Sequence, residues 1–225
     1  MASIINLEDR SVDAQLRLIA RPTYSRRAIV FIHGGWCQDW GKDKEDLKDL
    51  TNSLRRAGWE DSIYQLWWDS SENPWSNFYK IGKIMDRAKQ VGSNSFSSLV
   101  SSGITEQEVS ILAYSFGARV AYYALESWAG QRNLGDVILL GGAIKRDKSK
   151  NWGYAASKLN GHLFNIHNKR DPMLQIFHQC QGGISPCGRK PIKEKHSRIE
   201  NIDASDIGMH HSLRRYLEYL PSFTR

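Results

Sequence analysis

Short continuous apolar runs, each followed by residues at helical spacing, constrain this chain more than any other feature. Ala28-Ile29-Val30-Phe31-Ile32 is uninterrupted and reads as a strand buried on both faces. Lys42 to Ala57 follows, with Leu47, Leu50 and Leu54 on one helical face and Gly58 as a stop signal. Ser62 to Trp68 is the next strand, and Asn73-Pro74 opens a second helix with Phe78, Ile81, Ile84 and Met85 on its apolar face. The alternation continues through a strand from Val109, a strand over Gly135 to Ile144 and a helix from Asn151 to Leu159. A strand over His162 to His167, a helical stretch from Met173 to Gln179, a strand over Arg198 to Ile202 and a terminal helix from Ser212 to Leu220 complete it. Leu16 to Ala20 is an additional strand near the start. The helical connections are long enough for right-handed crossovers. The expected architecture is therefore an α/β fold, a mostly parallel sheet with helices on both faces, as one compact domain over residues 1–225. Val91 to Gly103 is rich in serine and glycine and reads as a loop or short helix inside that domain; Gln181 to His196 reads as a loop.

The sharpest local signal is Val109-Ser110-Ile111-Leu112-Ala113-Tyr114-Ser115-Phe116-Gly117-Ala118-Arg119-Val120. It begins as a buried strand and continues as a helix through Val120, Ala121, Ala124, Leu125 and Trp128. A strand that turns abruptly into a helix crowds its own backbone. Only small residues fit two positions either side of the turn, and the central residue is held in a strained, exposed pose. Ala113-Tyr114-Ser115-Phe116-Gly117 has this form, a nucleophile elbow with alanine in place of the first glycine.

The remaining residues narrow the chemistry. The formal net charge is +7, which suits an anionic partner or an anionic membrane surface. The two denser basic patches, Lys145 to Lys150 and Arg189 to Lys195, are broken by acids or proline and read as solvated loops. Neither has the interleaved aromatics of a single-strand binder, so nucleic acid is not the expected partner. Three cysteines, Cys37, Cys180 and Cys187, argue against a disulfide framework and suit a reducing compartment. Their spacing with His178 and His196 matches no standard zinc pattern, and no metal or cofactor is implied. Met1 to Arg10 lacks the form of a secretory signal, and no apolar stretch approaches the roughly 18–20 residues that cross a bilayer. The expectation is a soluble, cytoplasmic protein, with peripheral membrane contact or export without a cleaved signal still open.

In an open parallel sheet, functional residues gather past the carboxyl ends of the strands. His33-Gly34-Gly35-Trp36, Ser115, Asp171 and the His210-His211 pair all follow predicted strands there. The chain order Ser, Asp, His is that of α/β-hydrolases. Ser115 would be the nucleophile, a histidine its base, and Asp171 the group that orients and charge-stabilises the imidazole. The backbone N–H of Phe116 would supply one oxyanion donor, and Gly35 or Trp36 the other. Trp36, Trp40, Trp67, Trp68 and Trp75 stand near strand ends and first turns. Of these, Trp40 and Trp67, with Tyr114, are the candidate lining of an apolar substrate pocket.

The chain resembles the α/β-hydrolase domain of the transmembrane-and-coiled-coil hydrolase-like proteins, long catalogued as a domain of unknown function. The resemblance rests on Phe31-Ile32-His33-Gly34, Tyr64 to Ser70, Ala113 to Val120, Asp136 to Ala143, Asn165 to Asp171, and Glu200 to Ser205 before His211-Ser212. It covers roughly residues 28 to 215 and implies Ser115 as nucleophile, Asp171 as acid and His211, rather than His210, as base. It also implies hydrolysis of ester or lipid substrates. The family's transmembrane helices have no counterpart here. The expected function is a serine hydrolase acting on a small-molecule or lipid carboxylic ester or thioester through an acyl-enzyme on Ser115. The alternatives are a catalytically silent hydrolase fold used as a binding module, and a phospholipase-type effector at a membrane surface.

Overall fold

The computed structural model describes residues 14–22, 24–35, 44–70, 78–180 and 183–223. Seven strands form one sheet: β1 (Ala14–Ala20), β2 (Arg27–Ile32), β3 (Ser62–Trp68), β4 (Glu108–Tyr114), β5 (Asn133–Leu140), β6 (Leu163–His167) and β7 (Ile199–Asp203), in the order β1-β3-β2-β4-β5-β6-β7. Only β1, on the edge against β3, runs antiparallel. The central strands are buried on both faces, which is why β2, β4 and β5 read as apolar runs without alternation.

The helices are α1 (Lys44–Arg56), α2 (Phe78–Gln90), α3 (Phe96–Gly103), α4 (Gly117–Glu126), α5 (Trp152–Ser157), α6 (Pro172–Cys180) and α7 (Leu213–Tyr216). Leu47, Leu50 and Leu54 of α1 pack with Leu213, Tyr216 and Leu217 against Ile29, Ile63, Leu112 and Ile138 on one face. The other face is covered by α2 through α6, where Ile84, Val91, Phe96, Val120 and Trp152 meet Val30, Ile111 and Val137. Every residue of α4 from Gly117 to Leu125 is buried, so its stability comes from contact on all sides rather than from one amphipathic stripe.

After the edge strand β1, the chain enters the centre of the sheet at β2, moves outward to β3 by way of α1 on one face, then returns past β2 to β4 by way of α2 on the other. The direction of winding reverses between β2 and β4, and in open α/β sheets the carboxyl ends of the strands at such a reversal are where ligands bind. The sheet, its antiparallel edge strand and the strand-to-helix turn after β4 make this an α/β-hydrolase fold, as the sequence implies.

Three stretches refine the sequence reading where packing is at stake. Residues 91–103, read as a loop or short helix, form a π-helical turn (Val91–Ser95) and the short helix α3, with Val91, Phe96 and Val100 buried despite their polar neighbours. Asn151 is the cap of α5, its side chain accepting the Tyr154 N–H, rather than the first helical residue. The strand expected over Gly135 to Ile144 begins at Asn133 and ends at Leu140, where Gly141 turns the chain with φ +54°.

Candidate active site

Ser115 follows β4 directly and has φ +54°, the only positive φ outside glycine among the described residues. A β-carbon in that region costs about 1–2 kcal/mol. The surroundings hold it there: the Ser115 N–H donates to the Leu140 carbonyl (3.0 Å), and its own carbonyl accepts the Ala143 N–H (2.9 Å). Gly117 makes the turn possible, since a β-carbon there would stand 2.4 Å from the Ile32 carbonyl oxygen. Ala113 is fully buried and its methyl group is accommodated.

The hydroxyl of Ser115 lies 2.9 Å from Nε2 of His211, and Nδ1 of His211 lies 2.6 Å from Oδ2 of Asp171. Carboxylates accept and do not donate, so Asp171 fixes the proton on Nδ1 and leaves the Nε2 lone pair facing the serine. Ser115 is 3% exposed and Asp171 fully buried. Asp171 sits in the turn between β6 and α6, where its Oδ1 accepts the Leu174 N–H (3.0 Å). His211 lies in the segment between β7 and α7. His210 is exposed.

The segments carrying Asp171 and His211 are joined by Asn168, whose buried amide donates to the Gly208 carbonyl (2.8 Å) and whose Oδ1 accepts the Arg170 N–H (2.9 Å). A second unforeseen partner is Tyr216 of α7, whose hydroxyl donates to Asp171 Oδ2 (2.8 Å). Burial, then the nearby Asp171 charge, raises the Tyr216 phenol far above its ordinary pKa, so it stays a donor. Tyr114 stacks on the His211 ring at 5.0 Å and 26°. Burial raises its phenol strongly as well. Tyr114 is thus placed as a backing for the imidazole.

The turn after β2 lies against the elbow. A β-carbon on Gly34 would approach the Ser115 β-carbon to 3.0 Å, and one on Gly35 would approach the Phe116 ring to 3.0 Å. The Phe116 ring meets Phe177 of α6 edge-on at 5.2 Å. Phe116 and Gly35 are therefore brought beside Ser115; Trp36 and Trp40, like Trp75, lie outside the described residues. Trp67 is half-buried on β3, opposite Gln15 of β1. β2 stands between β3 and β4, which sets Trp67 about 9–10 Å to the side in sheet spacing. The adjacent Trp68 reaches the turn instead. Its ring stacks on His33 and its indole N–H donates to the His33 carbonyl (3.2 Å), while the His33 ring accepts the Trp68 backbone N–H (3.3 Å).

Local spacing offers no signal for Tyr216 or His33 in these roles, because both act through partners on distant strands and helices. Asn168 falls within the Asn165 to Asp171 stretch already singled out, but only the structure gives it a task.

Among solved structures, the chain is similar to a phospholipase/carboxylesterase from Dyadobacter fermentans, at 15% identity over 85% of this chain and 87% of that one, with a TM-score of 0.46. It is similar also to the esterase Pf2001 of Pyrococcus furiosus, at 12% identity over 93% and 88%, with a TM-score of 0.43. Among curated sequences it is 29% identical over 153 residues to an uncharacterized membrane protein of Schizosaccharomyces pombe, covering 67% of this chain and 19% of that protein. It is 25% identical over 142 residues to an uncharacterized membrane protein of Caenorhabditis elegans, covering 60% and 22%. The chain thus spans about a fifth of the length of the curated relatives it matches. None of the described helices is long and apolar enough to cross a membrane. Residues 47–222 match the family described as "Protein of unknown function (DUF726)". This match takes in β3 through α7, with Ser115, Asp171 and His211, and the chain belongs to that family.

Proposed function

We propose that the protein is a serine hydrolase that cleaves a carboxylic ester or thioester through an acyl-enzyme on Ser115. One observation carries the reading: a single imidazole, His211, spans Ser115 Oγ and Asp171 Oδ2 at 2.9 and 2.6 Å, with its accepting nitrogen toward the hydroxyl. His211 Nε2 takes the hydroxyl proton as Oγ attacks the carbonyl carbon, and the buried Asp171 carboxylate stabilises the imidazolium. The oxyanion is met by the Phe116 N–H at the start of α4 and a donor from the glycine turn, Gly35 or Trp36. Collapse breaks the C–O or C–S bond, and His211 returns its proton to the departing alcohol or thiol. Water then repeats the sequence on the acyl-serine and frees the acid.

The test is labelling by a fluorophosphonate, read by intact mass. Wild type is expected to gain one adduct and Ser115→Ala none, with turnover of short-chain esters in that variant down by about 10⁴-fold or more. His211→Ala should match it, whereas His210→Ala should retain activity. Folded wild type that neither labels nor turns over esters would leave a silent fold serving as a binding module.

The second reading places this chemistry at an anionic lipid surface. Met209, 73% exposed and two residues before His211, lies on the segment that the Asn168 amide ties to the turn carrying the exposed Lys169 and Arg170, and the curated relatives are described as membrane proteins. Flotation with anionic but not neutral vesicles, weakened in Met209→Asp, is the expected result. Equal failure on both vesicle types would remove this reading.

A further inference from the structure

We propose that Tyr216 is a positioning residue that sets the basicity of His211 by sharing the negative charge of Asp171. For its effect on turnover the proposal rests on the hydrolase reading above; its effect on the imidazole does not. Oδ2 of Asp171 accepts two hydrogen bonds at once, from His211 Nδ1 at 2.6 Å and from the Tyr216 hydroxyl at 2.8 Å. Oδ1 takes only the Leu174 N–H among the hydrogen bonds described above. Each donor to one carboxylate oxygen draws charge from it and weakens its hold on the other. The phenol therefore limits how strongly Asp171 stabilises a protonated His211, and so tunes how readily the imidazole takes up and gives back a proton.

The fold is arranged around this contact. Tyr216 is fully buried at the end of α7. Its ring lies over Gly141, the residue that ends β5 with φ +54°; a β-carbon on Gly141 would stand 2.8 Å from the ring and 2.9 Å from the hydroxyl oxygen. The absence of a side chain at position 141 thus lets the ring pass and brings the hydroxyl to Asp171. A buried tyrosine that served only to fill space would be satisfied by any acceptor, yet this one reaches the oxygen that also holds His211. Among the described residues, the other titratable groups around the pair are Tyr114 from β4, Asp46 from α1, Cys187 from the loop after α6, and His210, Lys169 and Arg170 on the adjoining turns. Tyr114, whose ring is against the imidazole, is held neutral by burial.

Tyr216→Phe keeps the ring that fills the space over Gly141 and removes only the donor. The measurement is the pH titration of the His211 ring nitrogens by NMR, with the resonances assigned among the seven histidines by their loss in His211→Gln. The midpoint is expected to rise by about 0.5–1 pH unit in Tyr216→Phe, and the acid limb of kcat/KM to move upward with it. Tyr122→Phe is the control, a phenol buried on α4 that donates to Glu126 and accepts the Asn151 N–H; there the His211 midpoint should stay in place. An unmoved or lowered midpoint in folded Tyr216→Phe, or an equal rise in Tyr122→Phe, would overturn the proposal. If the midpoint rises but wild type neither labels nor turns over esters, the hydrolase reading fails and the role of Tyr216 stands. If wild type labels and the midpoint does not move, the reverse holds.

Discussion

Gly117 is held to glycine by the strand it crosses. A β-carbon there would lie 2.4 Å from the Ile32 carbonyl oxygen and 2.7 Å from that of His33, and neither backbone group can withdraw. Gly117→Ala is expected to lower stability by roughly 1–3 kcal/mol, read from urea unfolding. Ser115 presents the opposite case, a side chain kept where glycine would be more comfortable. Ser115→Gly and Ser115→Ala should be equally inactive, but the glycine variant should be the more stable by about 1 kcal/mol, since it relieves the positive φ. Cys187 is fully buried, and burial pushes its thiol up to about 12. At neutral pH it is protonated and enclosed, so peptide mapping after iodoacetamide treatment should show it unmodified until denaturant is added. At this scale the sequence is most informative. Ala113 to Gly117 announces the turn through side-chain size alone, because the steric demand of the elbow falls on the positions two residues either side of Ser115.

Between elements the sequence is less legible. Asp171 and His211 can be read as residues that follow strands, but the Asn168 amide that fastens their two segments has no spacing to betray it. Removing it in Asn168→Ala leaves the carbonyl of Gly208 and the N–H of Arg170 without these bonds. The expected cost is about 1–3 kcal/mol of stability, with a fall in kcat larger than any change in KM as His211 loses its register with Ser115. Residues 91–103 show the same limit from the other side. Their serine-rich composition conceals three buried side chains and one close approach: Gly92 meets the Val120 carbonyl oxygen so nearly that a β-carbon would stand 2.4 Å from it. The π-helical turn begins beside this glycine and brings the helices to α4. In the sequence Tyr216 is only one residue of the terminal helix read over Ser212 to Leu220, because its partner lies 45 residues earlier in the chain.

For the molecule as a whole, the mostly parallel sheet with two covered faces follows from physics visible in the sequence: continuous apolar runs want two covered faces, and helical connections between them make parallel neighbours. The place of β1, antiparallel on the edge, is decided by pairing with β3 rather than by its own residues. Stability should depend on pH through His167 at the end of β6. Burial lowers its pKa below the ordinary value of 6.5, against the raising influence of Asp203. The unfolded chain therefore binds this proton more readily than the folded one, and stability rises with pH across the interval between the two values. The urea midpoint is expected to fall as the pH drops from 7 toward 5, and to fall less in His167→Gln.

Ser115 and its imidazole are 96 residues apart in sequence, and the imidazole belongs to the segment laid down after the last strand. On a ribosome, the elbow can be complete while the groups that would activate its hydroxyl are still being added. On the hydrolase reading proposed above, a growing chain exposes its surroundings to an ordinary alcohol, and the nucleophile would be armed only when β7 joins the sheet and α7 closes over Gly141.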